Sequence, residues 1–209
     1  MAKKSNNLFF ILSPIVILLI TQITAIGLGR SLGSMVYLPI ILIYWGVLVF
    51  ILYKYGFGHI NPWLKKPQGH WIWGILAALL GVSSLPLFLN NIQLFSNLSV
   101  LIPHIIFFLI NPWIEEFYWR GLLIDVTGKW NVWLSGLYSS VLFTIWHAAF
   151  AWHSVGVRSL SFFMPVFMLG VFMVLIYKKT KSLWLCIASH MLINIFNMGI
   201  PVLMNLIEF

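Results

Sequence analysis

Seven apolar runs divide the chain: Leu8 to Leu28, Val36 to Tyr53, Trp71 to Leu89, Asn97 to Ile124, Asn131 to Ala151, Phe162 to Tyr177 and Leu183 to about Gly199. Each is close to the roughly 20 mostly apolar residues that a helix needs to cross the hydrocarbon core of a bilayer. The first follows Lys3 and Lys4, as in a signal peptide. Its apolar region is too long for one and six more runs follow, so it reads as an uncleaved first helix. The fourth would extend about 42 Å as one helix, and Asn111-Pro112 interrupts it. That predicts a kink or restart, with Pro112 in the first turn of the second half. Apolar residues after Pro201 offer a short eighth segment. With no repeat, linker or low-complexity tract, residues 1–209 read as a single integral membrane domain. The expected fold is all-α, a polytopic bundle of about seven transmembrane helices.

Composition agrees. Of 209 residues, 61% are hydrophobic, 17% aromatic and 8% charged, whereas a water-soluble domain carries roughly 25% charged residues. Most of the outer surface therefore faces lipid. The net charge of +8 does not point to nucleic acid, because the basic residues form no patch interleaved with polar and aromatic groups. They cluster between the runs. With a cytoplasmic amino terminus and alternating crossings, Lys3, Lys4, Lys54, Lys65, Lys66, Lys129, Lys178, Lys179 and Lys181 fall inside and only Arg30 and Arg158 outside, as the positive-inside rule requires. Trp63, Trp71, Trp73, Trp130, Trp133, Trp152 and Trp184 stand at run ends, where an aromatic belt places them. The single cysteine, Cys186, excludes an intrachain disulfide and any multi-cysteine metal site, and its apolar run makes it a packed small residue.

A charge at the centre of a span costs about 2.5–3.5 kcal/mol even on lenient scales, so polar residues within the runs are the informative ones. Glu115 and Glu116 are adjacent in the fourth run. Glu116 and Arg120, four apart, pair on one helix face, while Glu115 points about 100° away. A structural ion pair explains Glu116 and Arg120 but leaves Glu115 without a role. His147 lies in the fifth run after Phe143, and the seventh carries His190 and Asn194 a turn apart on one face. A lone helical histidine is more often a hydrogen-bonded packing residue than a catalyst. Here two of them, an amide and an unpaired carboxylate occupy three runs, and buried polar groups need partners; facing a shared wet cavity provides them. The set suffices for hydrolysis. Glu115 can act as general base towards a water positioned by a histidine, and a second histidine with the asparagine amide can donate to an oxyanion. Glu115, His147 and His190 also make a zinc-ligand set, and the sequence does not choose between these chemistries. His59, His70 and His153 read as solvated or interfacial, His104 as packing, Asp125 and Lys129 as solvated loop residues, and Glu208 as terminal and exposed.

Together the patterns Glu-Glu-x-x-x-Arg (Glu115, Glu116, Arg120), Phe-x-x-x-His (Phe143, His147) and His-x-x-x-Asn (His190, Asn194) resemble the CPBP family of intramembrane proteases, also called the CAAX protease, bacteriocin-processing or Abi family. All seven positions match, in order, with a CPBP-like core over residues 97–200. The resemblance implies an endopeptidase acting on a peptide or protein substrate at the bilayer, from a cavity open towards the cytoplasm. It implies that Glu115 and His147 activate the water, that His190 and Asn194 form the oxyanion site, and that Glu116 and Arg120 support it. It leaves zinc dependence open. Its members act in CAAX-type cleavage, bacteriocin maturation, self-immunity and surface-protein display, and the small chain resembles those of the bacterial plasma membrane.

Other intramembrane proteases fit less well. There is no His-Glu-x-x-His for a site-2-type zinc enzyme, only Asp125 where a presenilin-type enzyme needs two aspartates, and Gly81-Val82-Ser83-Ser84 is a poor echo of a rhomboid. A non-catalytic immunity or bacteriocin-binding membrane protein is the principal rival. A small proton-relaying transporter is a third class, although no inverted repeat is visible.

Overall fold

The computed structural model describes residues 3–55, 58 and 60–207, apart from the side chains of residues 3–6. His59, Glu208 and the side chains of Lys3 and Lys4 lie outside the described residues. Every regular element among those described is helical. Helices α1 (Lys3–Leu32) and α2 (Tyr37–Tyr55) belong to one apolar stretch in sequence. A 3₁₀ turn at Gly33–Val36 separates them, opening on Gly33 at φ 55°, a left-handed conformation that costs glycine little. The chain reverses there: the rings of Phe10 and Tyr55 meet edge-on with centroids 5.3 Å apart. The stretch is thus two antiparallel helices, as the first two runs predict.

After the short α3 (Ile60–Trp63), the third run is broken into α4 (Ile72–Val82) and α5 (Leu85–Asn91) at Ser83-Ser84. The fourth comprises α6 (Leu98–Glu116), a π-helical turn at Phe117–Leu122 and α7 (Leu123–Val126). The fifth is α8 (Val132–Trp146) and α9 (Ala148–Ala151), parted at His147. Then come α10 (Leu160–Thr180), α11 (Trp184–Phe196) and α12 (Gly199–Leu203). The apolar stretches Ile72–Ser96, Leu98–Val126, Val132–Ala151 and Leu160–Thr180 are, like Asn7–Tyr55, long enough to cross a membrane. The seventh run forms the 13-residue α11, about 20 Å long and shorter than the hydrocarbon core. The short eighth segment is not a crossing: α12 has 5 residues, about 7.5 Å, and Ile200, Pro201, Val202 and Leu203 are buried.

The expected restart at Pro112 is also corrected. Helix α6 continues through Pro103 and Pro112, since a membrane bundle can re-satisfy the carbonyl that a proline leaves without its N–H. The irregularity is the π turn that begins five residues later. There Tyr118, Trp119, Arg120, Gly121 and Leu122 are all buried, because α2, α3, α8 and α10 surround this turn. It is the centre of the bundle.

The two ends of the bundle differ. At one end Trp63 Nε1 donates to Asp125 at 2.9 Å, Trp184 Nε1 donates to the Leu64 carbonyl at 2.7 Å and Gln68 N donates to the Thr180 carbonyl at 2.8 Å. This end gathers Lys54, Lys65, Lys66, Lys129, Lys178, Lys179 and Lys181. At the other end Trp152 Nε1 donates to Gln22 at 2.7 Å, and Asn205 Nδ2 donates to the His153 carbonyl at 2.8 Å. That end carries Arg30 and Arg158. The charge segregation expected from the sequence is therefore present in the fold.

Small residues let α8 and α10 approach closely, as is common between membrane helices. A Cβ on Gly170 would lie 3.0 Å from Ser140 Cβ and 3.2 Å from its Cα, and one on Gly136 would lie 3.1 Å from Val174. Gly170→Leu is expected to push the two helices apart and destabilise the protein by about 1–3 kcal/mol. Gly27→Leu, where a Cβ meets nothing within 4 Å, is the control that leaves the thermal unfolding midpoint in detergent unchanged.

Candidate active site

The adjacent carboxylates are buried and enter separate networks. Glu115 Oε1 accepts from Tyr44 Oη at 2.7 Å and Oε2 from Asn111 Nδ2 at 2.8 Å. The direction of both bonds is fixed by groups behind them. Trp119 Nε1 donates to Tyr44 Oη at 2.8 Å, and Trp45 Nε1 donates to Asn111 Oδ1 at 2.8 Å. An indole N–H can only donate. The tyrosine proton is therefore directed to Glu115, and the asparagine turns its NH₂ to the carboxylate. Both oxygens of Glu115 are held as acceptors.

Glu116 lies on the neighbouring face. Its Oε1 accepts from Arg120 at 3.0 Å and from His190 Nδ1 at 2.7 Å, and the Arg120 guanidinium stacks 4.2 Å above the Phe143 ring. His190 Nε2 is 3.5 Å from Glu115 Oε2, so one imidazole connects the two carboxylates. His147 closes α8. Its Nδ1 bonds the Phe143 carbonyl at 2.8 Å; a carbonyl only accepts, so Nδ1 carries the proton and Nε2 presents its lone pair. The Phe143 ring lies 5.0 Å from that of His147 and 6.4 Å from that of His190, which places one aromatic plate beneath both histidines and the arginine. Asn194, one turn beyond His190, has a buried Nδ2 with no partner among the described residues.

Glu115, His147, His190 and Asn194 line one cavity of about 430 Å³, whose remaining wall is largely apolar; Glu116 and Arg120 lie behind it. The seven residues singled out from the sequence thus converge. No hydrogen bond joins His147 to Glu115 or His190; they share the cavity wall. The cavity reaches the surface between the α4–α5 break and the first half of α10, where its lining residues Ser83, Ser161, Pro165 and Met168 are exposed. Among its lining residues, none comes from the lysine-rich end. The expectations of lysines inside and a mouth towards the cytoplasm therefore exclude each other.

The other polar residues find ordinary places. His104 Nε2 bonds the Ile195 carbonyl at 3.1 Å beside the Phe95 ring, which is packing as expected. His153 Nε2 bonds the Ala25 carbonyl at 3.0 Å, and His70 is exposed. Cys186 is buried against the Met173 carbonyl. Asp125 and Lys129 are exposed, as expected of solvated residues. Asp125 sits in α7 rather than in a loop, accepts from Trp63 and Tyr177, and joins three segments at the lysine end. Trp63, read as an interfacial residue, is buried because its ring fills the space over Gly121.

Among the described residues no group of three or more His, Cys, Asp or Glu side chains is arranged to hold a metal ion.

Tyr44, Trp45, Asn111 and Trp119 escape the sequence reading. Asn111 is four residues before Glu115, on the same helix face, and that spacing is the available signal. Tyr44 has no signal in an aromatic-rich apolar run. Tyr44→Phe is expected to strand Trp119 Nε1 and one oxygen of Glu115, at a cost of about 1–3 kcal/mol. Combined with Glu115→Gln, the loss in thermal unfolding free energy should fall short of the sum by at least about 0.5 kcal/mol. Additive losses would break the link between the two residues.

No curated protein and no solved structure matches the chain. Residues 97–196 do match a family model, that of the type II CAAX prenyl endopeptidase Rce1-like proteins. The matched segment contains all seven motif residues and Asn111, and leaves Tyr44 and Trp45 outside it. Over that segment the chain matches the CPBP/CAAX protease family that its three motifs resemble, and that family indicates a protease.

Proposed function

We propose that the chain is an intramembrane endopeptidase that hydrolyses a peptide bond with a water activated between Glu115 and His147. The observation that carries this reading is the convergence of Glu115, His147, His190 and Asn194, from three separate runs, on one cavity. A carboxylate has about four acceptor positions. Two on Glu115 are taken by Tyr44 and Asn111, which leaves capacity to accept from a water. The Nε2 lone pair of His147 accepts that water's second proton and orients it. Attack on the carbonyl carbon transfers one proton to Glu115 and puts negative charge on the carbonyl oxygen. Asn194 Nδ2 donates to this oxyanion; because Nδ1–H of His190 is committed to Glu116, His190 Nε2 donates as well only when the ring is the imidazolium. Collapse breaks the C–N bond, and the proton held by Glu115 passes to the leaving amine. Glu116 and Arg120 touch no reacting atom: they fix His190. No step passes through a metal.

Glu115→Ala and His147→Ala are expected to lower processing by at least about 100-fold with the protein still present at its normal level in the membrane. Comparing new peptide termini in membranes of cells carrying the intact chain or either variant measures this. Termini that persist in both variants would sink the protease reading in favour of a non-catalytic binder.

A further inference from the structure

We propose that this site is served from the end of the bundle opposite the lysines, so that its substrates are peptides presented on the extracytoplasmic side of the membrane. The word substrate rests on the protease reading; the sidedness does not.

Two independent features place the access route. First, the site is sealed towards the lysine end by an aromatic floor. Tyr55 stacks on Trp63 at 5.9 Å, Trp63 lies 6.0 Å from Phe117, Phe117 lies 6.0 Å from Trp113, and Trp113 meets Trp184 at 5.5 Å. These rings come from α2, α3, the fourth run and α11, and they lie between Glu115 and the segments bearing Lys65, Lys129 and Lys181. Second, the cavity extends the other way. Val157, Ser161, Val202 and Leu203 line it, and Ser154 Oγ, next to Val155, donates to the Val202 carbonyl at 2.8 Å. This is the region that carries Arg158.

Orientation then follows from charge. Seven lysines with described positions sit at the sealed end, against Arg30 and Arg158 at the open end. Lys and Arg in short loops set membrane orientation. The sealed end is cytoplasmic and the mouth faces out. Because the mouth lies between the α4–α5 break and α10, with Ser83 and Ser161 beside Pro165 and Met168, it meets both the outer half of the bilayer and its aqueous surface. It fits a mainly apolar peptide segment delivered there, as on an exported or membrane-inserted polypeptide.

Cysteine labelling tests the sidedness in a Cys186→Ala background, with a sulfonated maleimide that does not cross membranes, added to intact spheroplasts. Val155→Cys and Ser161→Cys are expected to label in intact cells. Lys65→Cys should label at least ten-fold more after permeabilisation. A Val155→Cys or Ser161→Cys that stays unlabelled in intact cells, or a Lys65→Cys that labels there, overturns the proposal. Repeating the labelling with Glu115→Ala separates the two ideas. Peptide termini that persist in Glu115→Ala while the labelling is as expected retire the protease reading alone, and termini lost in Glu115→Ala with reversed labelling retire the sidedness alone.

Discussion

Two adjacent buried carboxylates are the constraint around which this bundle is arranged. Taking even one ion out of water costs several kcal/mol after relaxation, and Glu115 and Glu116 are both almost inaccessible. The helical repeat separates them by about 100°, so each can be given its own environment. Glu116 receives the Arg120 guanidinium from its own helix and an imidazole hydrogen bond from His190 of α11, with the Phe143 ring under the guanidinium adding a cation–π contact. Glu115 receives neutral donors from α2 and from one turn upstream. Buried polar networks are stabilising only when satisfied, so α2, α6, α8 and α11 must all be in place before either carboxylate can be ionised at low cost. Fold and site are therefore a single construction.

The tryptophans give that construction its polarity. Trp119 and Trp45 are donor-only groups placed behind Tyr44 and Asn111. They decide which way two otherwise ambiguous side chains point, and so decide that Glu115 accepts. A phenylalanine at either position would fill a similar volume and leave the direction open. Trp45 and Tyr44 lie on α2, before the segment that matches the protease family. The helices outside the match thus reach into the site and orient its central carboxylate.

The helical membrane bundle, the two-ended charge distribution and the seven motif positions were legible in the sequence because each rests on a property local in the chain: apolar length, clustered lysines, or a four-residue spacing on one helix. What was not legible depends on neighbours. Pro112 reads as a break because a proline in an isolated helix is one; here α6 continues and the backbone departs from α geometry at the π turn instead. Asp125 is exposed, as its sequence context suggests, but its role as a tie is hidden because its partners Trp63 and Tyr177 are 62 and 52 residues away. Tyr44 reads as one more aromatic residue in an apolar run, since the sequence does not say which hydroxyl faces a carboxylate.

The positions of the helix breaks connect these points. Inside a bilayer, backbone that leaves the helical ladder must be satisfied by protein or must line a water-filled space. The third run breaks at Ser83-Ser84 and the fifth at His147, and all three residues line the cavity. At Ser83 both N–H and hydroxyl return to the Leu80 carbonyl, and Phe150 N returns to His147 O, so the breaks are locally closed but cannot extend through lipid. An unbroken α8 would carry His147 onward within a regular turn; ending it there sets the imidazole on the wall of the cavity with Nδ1 tied back to Phe143 and Nε2 free. The interruptions that shorten these helices as crossings are thus the features that create a polar, accessible volume in the half of the bundle away from the lysines. A bundle of seven uninterrupted helices would bury the same carboxylates and give them nothing to act on.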